Sequence, residues 1–215
     1  QRIGDDGVNV LAKAVAQGPP MEDIFLDGNS ITDAGCALLV EALSGHCGSL
    51  KQISFFDNQI GDLGAVRLAG LIQGCPSLKE IDVRQNQIRD EGAIALAEAI
   101  DGHATLKHLW IRDNAVGDAG ALRLVRALGN SPVLRHFELE GNAISPSSVD
   151  NLLELARSFG KTVSVGAQKV QQLTETQKKR AAAIEAAREW FEAGGAWYAA
   201  ATRVVMMLKA SAAMK

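Results

Sequence analysis

Apolar residues in this chain change their beat within each short segment. In "LKEIDVRQNQIRDEGAIALAEAI", Leu78 to Ile100, they first fall on a three-two spacing at Leu78, Ile81 and Val83 and then take up helical spacing at Leu96/Ala97/Ala99/Ile100. Alternation of apolar and polar positions predicts a short strand with its apolar side inward, and the later spacing predicts an amphipathic helix. The same ladder recurs as Met21/Ile24/Leu26, Leu50/Ile53/Phe55, Leu106/Leu109/Ile111 and Leu134/Phe137/Leu139. Each ladder is followed by an asparagine, at Asn29, Asn58, Asn86, Asn114 and Asn142, spaced by 29, 28, 28 and 28 residues. An aliphatic residue follows each in turn: Ile31, Ile60, Ile88, Val116 and Ile144. A fixed period of this length marks a stacked array of strand–helix units.

An Asp column at Asp5, Asp33, Asp62, Asp90 and Asp118 stands at the strand-to-helix switch, each inside a D-x-G signature. A side-chain oxygen there is expected to cap the free backbone N–H groups at the helix start. Each helix is expected to end at Gly18, Gly45, Gly74, Gly102 or Asn130, residue types that easily take the left-handed terminating conformation. The final unit departs from the pattern: Pro146 and Ser148 replace Asp and Gly, with Ser145-Pro146 as the helix start. "KTVSV" then reads as a last short strand.

The recurring L-x-x-L-x-L-x-x-N-x-I-x-D-x-G pattern resembles the leucine-rich repeat family, specifically its ribonuclease-inhibitor-like class. The resemblance covers about residues 1–165. It implies an α/β solenoid in which parallel strands line a concave face and helices cover the convex face. It also implies that the Asn side chain satisfies backbone groups where the strand turns away. Gln1 and Ile3 occupy the Asn and aliphatic columns, so the chain is expected to begin inside a unit and to be an excerpt of a longer polypeptide.

Composition shifts to Ala, Lys, Glu and Arg after this array. We therefore expect two parts, a solenoid over residues 1–166 and an all-helical C-terminal extension over residues 167–215 with a break at Gly194-Gly195. The capping-box form of "TETQ" supports the first of these helices. Ile184, Ala187 and Phe191 on one face, and Trp197, Val204, Val205 and Leu208 on another, are the expected contacts if the extension caps the repeats. A membrane span over Gly194–Met214 is disfavoured by Arg203 and Lys209, each costing roughly 2.5–3.5 kcal/mol near a bilayer centre.

With 22 Lys and Arg against 25 Asp and Glu in 215 residues, the net charge of −3 supplies no footprint for nucleic acid. Three cysteines without a C-x-x-C or Cys/His cluster argue against a disulfide framework and for a reducing, cytoplasmic compartment. Cys47 and Cys75 share a column and could bridge if oxidised, but apolar filling is the favoured expectation for both, as for Cys36. There is no phosphate-cradling loop, nucleophile elbow or H-E-x-x-H motif. Neither catalysis nor a cofactor is expected.

Alternation directs the residues between the ladder positions onto one surface. Among them Phe25, Phe56 and Trp110 have no core to enter, and with Arg84, Arg112 and Glu138 they are the candidate partner-binding residues, because exposed aromatics and Arg dominate protein interfaces. Asp23, Asp27, Glu80, Asp82, Glu138 and Glu140 outnumber the arginines there, which suggests a partner with a basic patch. His108 and His136 share a column beside Glu138, but solvated surface is expected over a metal site. The expected function is a non-enzymatic protein-interaction or scaffold module, or a subunit of a larger assembly. The alternative is a GTPase-activating regulator resembling the activators of Ran, although those carry a long acidic tail that this chain lacks.

Overall fold

The computed structural model of the chain describes residues 2–45 and 47–166. The expected helices of the C-terminal extension, their glycine break and the Gly194–Met214 run lie outside the described residues. The described part belongs to the first of two units into which the chain divides, Gln1–Lys169. It alternates without exception: α1 (Gly4–Gln17), β1 (Asp23–Phe25), α2 (Asp33–Leu43), β2 (Gln52–Ser54), α3 (Asp62–Gly74), β3 (Glu80–Asp82), α4 (Asp90–Ile100), β4 (His108–Trp110), α5 (Asp118–Asn130), β5 (His136–Glu138), α6 (Pro146–Ser158) and β6 (Thr162–Ser164). A single 3-10 turn, Cys47–Ser49, precedes β2.

Strands β1 to β4 form one parallel sheet with Ile24, Ile53, Ile81 and Leu109 in register, and β5 and β6 form a second in which Phe137 faces Val163. The ladder residues Ile53, Phe55, Ile60, Leu78, Ile81, Val83 and Ile88 are all buried between strands and helices. Burying each such side chain contributes about 1.5–3 kcal/mol, so the periodic apolar set is what holds strand and helix together in every unit.

The polar columns tie neighbouring units to each other. Asn58 accepts the backbone N–H groups of Asn29 (3.1 Å) and Ile31 (2.9 Å) on Oδ1 and donates Nδ2 to the carbonyl of Leu26 (2.9 Å), all in the preceding repeat. Asn86 does the same, accepting from Ile60 (2.9 Å) and donating to Phe55 (2.8 Å), and it also donates to Val83 in its own strand (3.1 Å). The residue ahead of the Asn is left-handed in every unit, with φ of 68° at Gly28, 54° at Asp57, 53° at Gln85, 58° at Asp113 and 66° at Gly141. For the three non-glycines this costs about 1–3 kcal/mol each, and the Asn hydrogen bonds hold the turn against it.

The Asp column reaches the other way, which corrects the expectation that each Asp caps its own helix. Asp33, Asp62, Asp90 and Asp118 are each the first residue of their helix, and each caps the next one. Asp33 accepts the N–H groups of Gly61 (2.7 Å) and Gly64 (2.9 Å), Asp62 those of Arg89 (2.8 Å) and Gly92 (2.9 Å), and Asp90 those of Gly117 (2.7 Å) and Gly120 (2.9 Å). Thr32 supplements Asp5 by accepting from Ala34 (3.2 Å). The glycine of D-x-G follows from this staple. A Cβ at Gly92 would stand 2.8 Å from Asp62 Oδ1 and 2.8 Å from the Ala65 Cβ, so only glycine lets the carboxylate approach. In the last unit Asp118 caps Ser145 (N–H at 2.8 Å), and Ser145 itself caps no backbone group.

Two further expectations need correcting. Gly45 and Gly102 terminate their helices left-handed, at φ 84° and 71°, but Gly18 has φ −90°, and Gly74 and Asn130 lie within α3 and α5. The side chain of Asn130 donates to Asp101 of the preceding unit (3.2 Å). Cys47 and Cys75 are not separate apolar fillers; they form a disulfide with Cα atoms 5.4 Å apart, as the equal position of the two in adjacent repeats permits. The argument for a reducing compartment from unpaired cysteines loses that support. Cys36 is the buried filler expected, its thiol pushed up to about 12 by burial first and then by Asp33 and Asp5.

Candidate functional site on the concave face

The strand positions between the ladder residues make three columns across the sheet. Two of them pair by register from strand to strand, Asp23 with Gln52, Glu80 and His108, and Phe25 with Ser54, Asp82 and Trp110, and the third, with Phe56, Arg84 and Arg112, lies just past the strand ends. The backbone thereby sets which side chains share the surface, with neighbouring strands roughly 4.8 Å apart.

Three of the expected site residues meet. Arg84 lies between two rings from the repeats on either side, its guanidinium carbon 5.2 Å from the centre of Phe56 and 5.9 Å from that of Trp110. Asp82 holds that guanidinium in place through Nε at 2.9 and 3.0 Å and through the terminal NH2 group. The Asp82 hydrogen bond raises the Arg84 pKa above its ordinary value against the opposing effect of burial, so this cation is permanent. Cation–π contacts of this type contribute about 0.5–2 kcal/mol each, the more when water is excluded. Trp110 is also stacked on His108, at 5.1 Å between ring centres and 6° between planes.

Arg112 and Glu138 come together more loosely, at 3.8 Å, with Arg112 also on Asp113 at 3.2 Å. Phe25 is 62% exposed on β1 and has no ring contact among the described residues, so it stands apart from the Phe56–Arg84–Trp110 stack. Two acids of the expected negative surface are consumed internally. Asp82 is buried under Arg84, and Asp27 accepts from the Ser54 hydroxyl and the Phe56 N–H (3.2 Å).

Sequence reasoning overlooked a column of cations one residue ahead of β2 to β6, Lys51, Lys79, Lys107, Arg135 and Lys161, with Glu22 at the same place ahead of β1. The signal was present as a repeated Leu-Lys or Leu-Arg pair at four of these positions. Two of the five are engaged within the fold. Lys51 pairs with Glu22 at 2.6 Å, and Lys161 is buried with its ammonium on the carbonyls of Ser131 (2.8 Å) and Leu134 (2.5 Å). Burial first, and then Arg135, lowers the Lys161 pKa. Among the described residues no carboxylate lies within ion-pair distance of Lys79, Lys107 or Arg135.

A cavity of about 570 Å³ opens beside the starts of β4 and β5, lined by Lys107, His108, Trp110, Val133, Arg135 and His136 among others. No group of three or more His, Cys, Asp and Glu side chains that could hold a metal ion occurs among the described residues. No helix among them is long and apolar enough to cross a membrane.

Parallel strands on one face, a helix in every turn and an Asn ladder between them define a leucine-rich repeat solenoid. Three of its units are leucine-rich repeats by sequence: the family profile "Leucine Rich repeat" matches residues 46–69, 74–97 and 102–125. No curated protein matches the chain. Among solved structures, the leiomodin-1 actin-binding site 2 domain superposes with a TM-score of 0.51 at 17% identity, covering 68% of this chain and 87% of that one. The tropomodulin C-terminal domain of Caenorhabditis elegans gives 0.56 at 15% identity, covering 71% of this chain and 93% of that one. At such identities the likeness is one of fold.

Proposed function

We propose that this protein is a non-enzymatic interaction module that binds a protein partner on its concave face through Phe25, Phe56, Arg84, Trp110, Arg112 and Glu138. The observation that carries the reading is the Phe56–Arg84–Trp110 stack, which displays two aromatic rings and a fixed cation from three successive repeats. Aromatic and arginine anchors of this kind dominate binding energy. The acids left on β1 and β3, Asp23 and Glu80, favour a basic patch on the part of the partner that faces them. A helix in each repeat of about 28 residues supports the ribonuclease-inhibitor-like class.

The test is affinity purification with the intact chain, followed by titration of the recovered partner against Phe56→Ala/Trp110→Ala. Loss of about 2 kcal/mol or more of binding, with an unchanged circular dichroism spectrum, is the expected result. Binding that survives the double substitution removes the concave face from consideration. Actin is a concrete first candidate, because the leiomodin-1 domain of the same fold is an actin-binding site. Acceleration of GTP hydrolysis in single-turnover assays would instead favour the regulator of a small GTPase.

A further inference from the structure

Among the described residues, the hydrogen bonds that join the starts of neighbouring strands run from β1 to β4 and are missing between β4 and β5, whose far ends are still tied by the Asp113 N–H to the carbonyl of Glu140 at 2.8 Å. At each earlier junction the cation-column residue donates its N–H to its counterpart one repeat back, Lys79 to Lys51 at 2.8 Å and Lys107 to Lys79 at 2.7 Å. At the seam no such bond joins Arg135 to Lys107 among the described residues, and β4 and β5 belong to separate sheets. The cavity occupies this opening. Lys107 and Arg135 both line it and, among the described residues, have no carboxylate within ion-pair distance, whereas the equivalent Lys51 has Glu22. Like charges at adjacent strand positions repel, and that repulsion is relieved when an anion sits between them.

The remaining walls are preset. His136 is oriented by its Nδ1 contact to the Thr162 hydroxyl at 2.9 Å, and His108 is held by its stack on Trp110. Glu138, the acid of the lining, is drawn toward Arg112 at 3.8 Å. Trp110 and Val133 add apolar surface.

Resting on the concave-face reading, we infer that the β4–β5 cavity is the seat for an acidic segment of the protein partner. A Glu or Asp carboxylate sits between Lys107 and Arg135, and an adjoining aliphatic side chain lies against Trp110 and Val133. A carboxylate placed between two cations is attracted by both, and more strongly than by either alone. The partner is therefore dipolar, basic where it meets β1 and β3 and acidic where it meets the seam.

The experiment is fluorescence anisotropy of a labelled Glu-Glu-Leu-Glu-Glu peptide titrated with the full chain at low salt. Saturable binding is expected, weakened roughly tenfold or more by Lys107→Glu/Arg135→Glu and unchanged by Arg67→Glu/Arg126→Glu on the convex helices. A Lys-Lys-Leu-Lys-Lys peptide should not bind. Lys107→Met/Arg135→Met, with folding checked by circular dichroism, carries the same expectation if charge reversal perturbs the fold. No saturable binding by the unmodified chain, equal loss from the convex pair, or no loss from the cavity pair overturns the seat. With the recovered partner, loss from the Phe56/Trp110 pair but none from the Lys107/Arg135 pair overturns the seat alone and leaves the concave reading standing. Insensitivity to the aromatic pair overturns the concave reading, and the peptide titration still decides the seat.

Discussion

The turns that join strand to helix and the concave columns are both built from polar and charged residues, yet they behave in opposite ways. In the turns the same residue recurs in unit after unit, Asn58, Asn86, Asn114 and Asn142 at one corner and Asp33, Asp62, Asp90 and Asp118 at the other. Each spends its hydrogen-bonding capacity on the backbone of a neighbour. On the concave columns no residue recurs throughout: Phe25, Ser54, Asp82, Trp110 and Glu138 share one column. Repetition thus separates polar residues that the fold needs from those free to serve a partner. A buried group that satisfies main-chain atoms cannot be exchanged without orphaning them, whereas an outward strand position tolerates any side chain.

The largest effect should come from the Asn corner. Asn86→Ala leaves the N–H of Ile60 without its partner in a buried turn and takes one of two hydrogen bonds from the carbonyls of Phe55 and Val83, which keep Asn58 (3.0 Å) and Asn114 (2.9 Å). At about 1–3 kcal/mol for the orphaned N–H, with the weakened pairing of the two carbonyls added, the variant should lose about 2–4 kcal/mol in urea unfolding. A loss below about 1 kcal/mol would show that water replaces the amide and that the corner is not the staple described.

Gly92→Ala should rank next, at about 1–3 kcal/mol, because the new methyl meets Asp62 Oδ1 and the Ala65 Cβ, each at 2.8 Å. The double variant Asp62→Ala/Gly92→Ala distinguishes the cause. If crowding of the carboxylate is the fault, the pair should cost less than the sum of its parts.

Asp90→Ala should cost about 1–2 kcal/mol, the price of one helix cap. Its location matters more than its size. Hydrogen exchange should quicken at Gly117 and Gly120, at the start of α5, rather than at the start of α4 where Asp90 itself resides. Faster exchange confined to residues 90–93 would restore self-capping.

The smallest stability change belongs to the concave face. Trp110→Ala removes a half-buried ring and its contacts to Arg84 and His108, worth about 0.5–1.5 kcal/mol, while binding of the partner falls by more than folding does. A stability loss as large as that of Asn86→Ala would mean that this surface, too, is structural.

Most of the architecture was legible from the one-dimensional pattern. The spacing of Leu78, Ile81 and Val83 and of their counterparts dictates strand and buried face, because alternation along an extended chain leaves only two sides to choose from. Phe56, Arg84 and Trp110 could be assigned to the concave face for that reason. What periodicity leaves open is the direction of a contact across repeats, since each unit has a neighbour on both sides at equal sequence distance. Only the stacked structure shows Asn58 reaching back to Leu26 and Asp33 reaching forward to Gly61, because the translation from unit to unit brings just one neighbour's backbone within hydrogen-bond range. The same translation brings Cys47 to Cys75 and sets Arg84 between its two rings. The seam lies further still from the pattern, for β4 and β5 keep the 28-residue interval and yet lack the hydrogen bonds at their starts, leaving Lys107 and Arg135 facing a cavity. A strand's own alternation is local chemistry, but the closeness of two strands is settled by everything packed behind them.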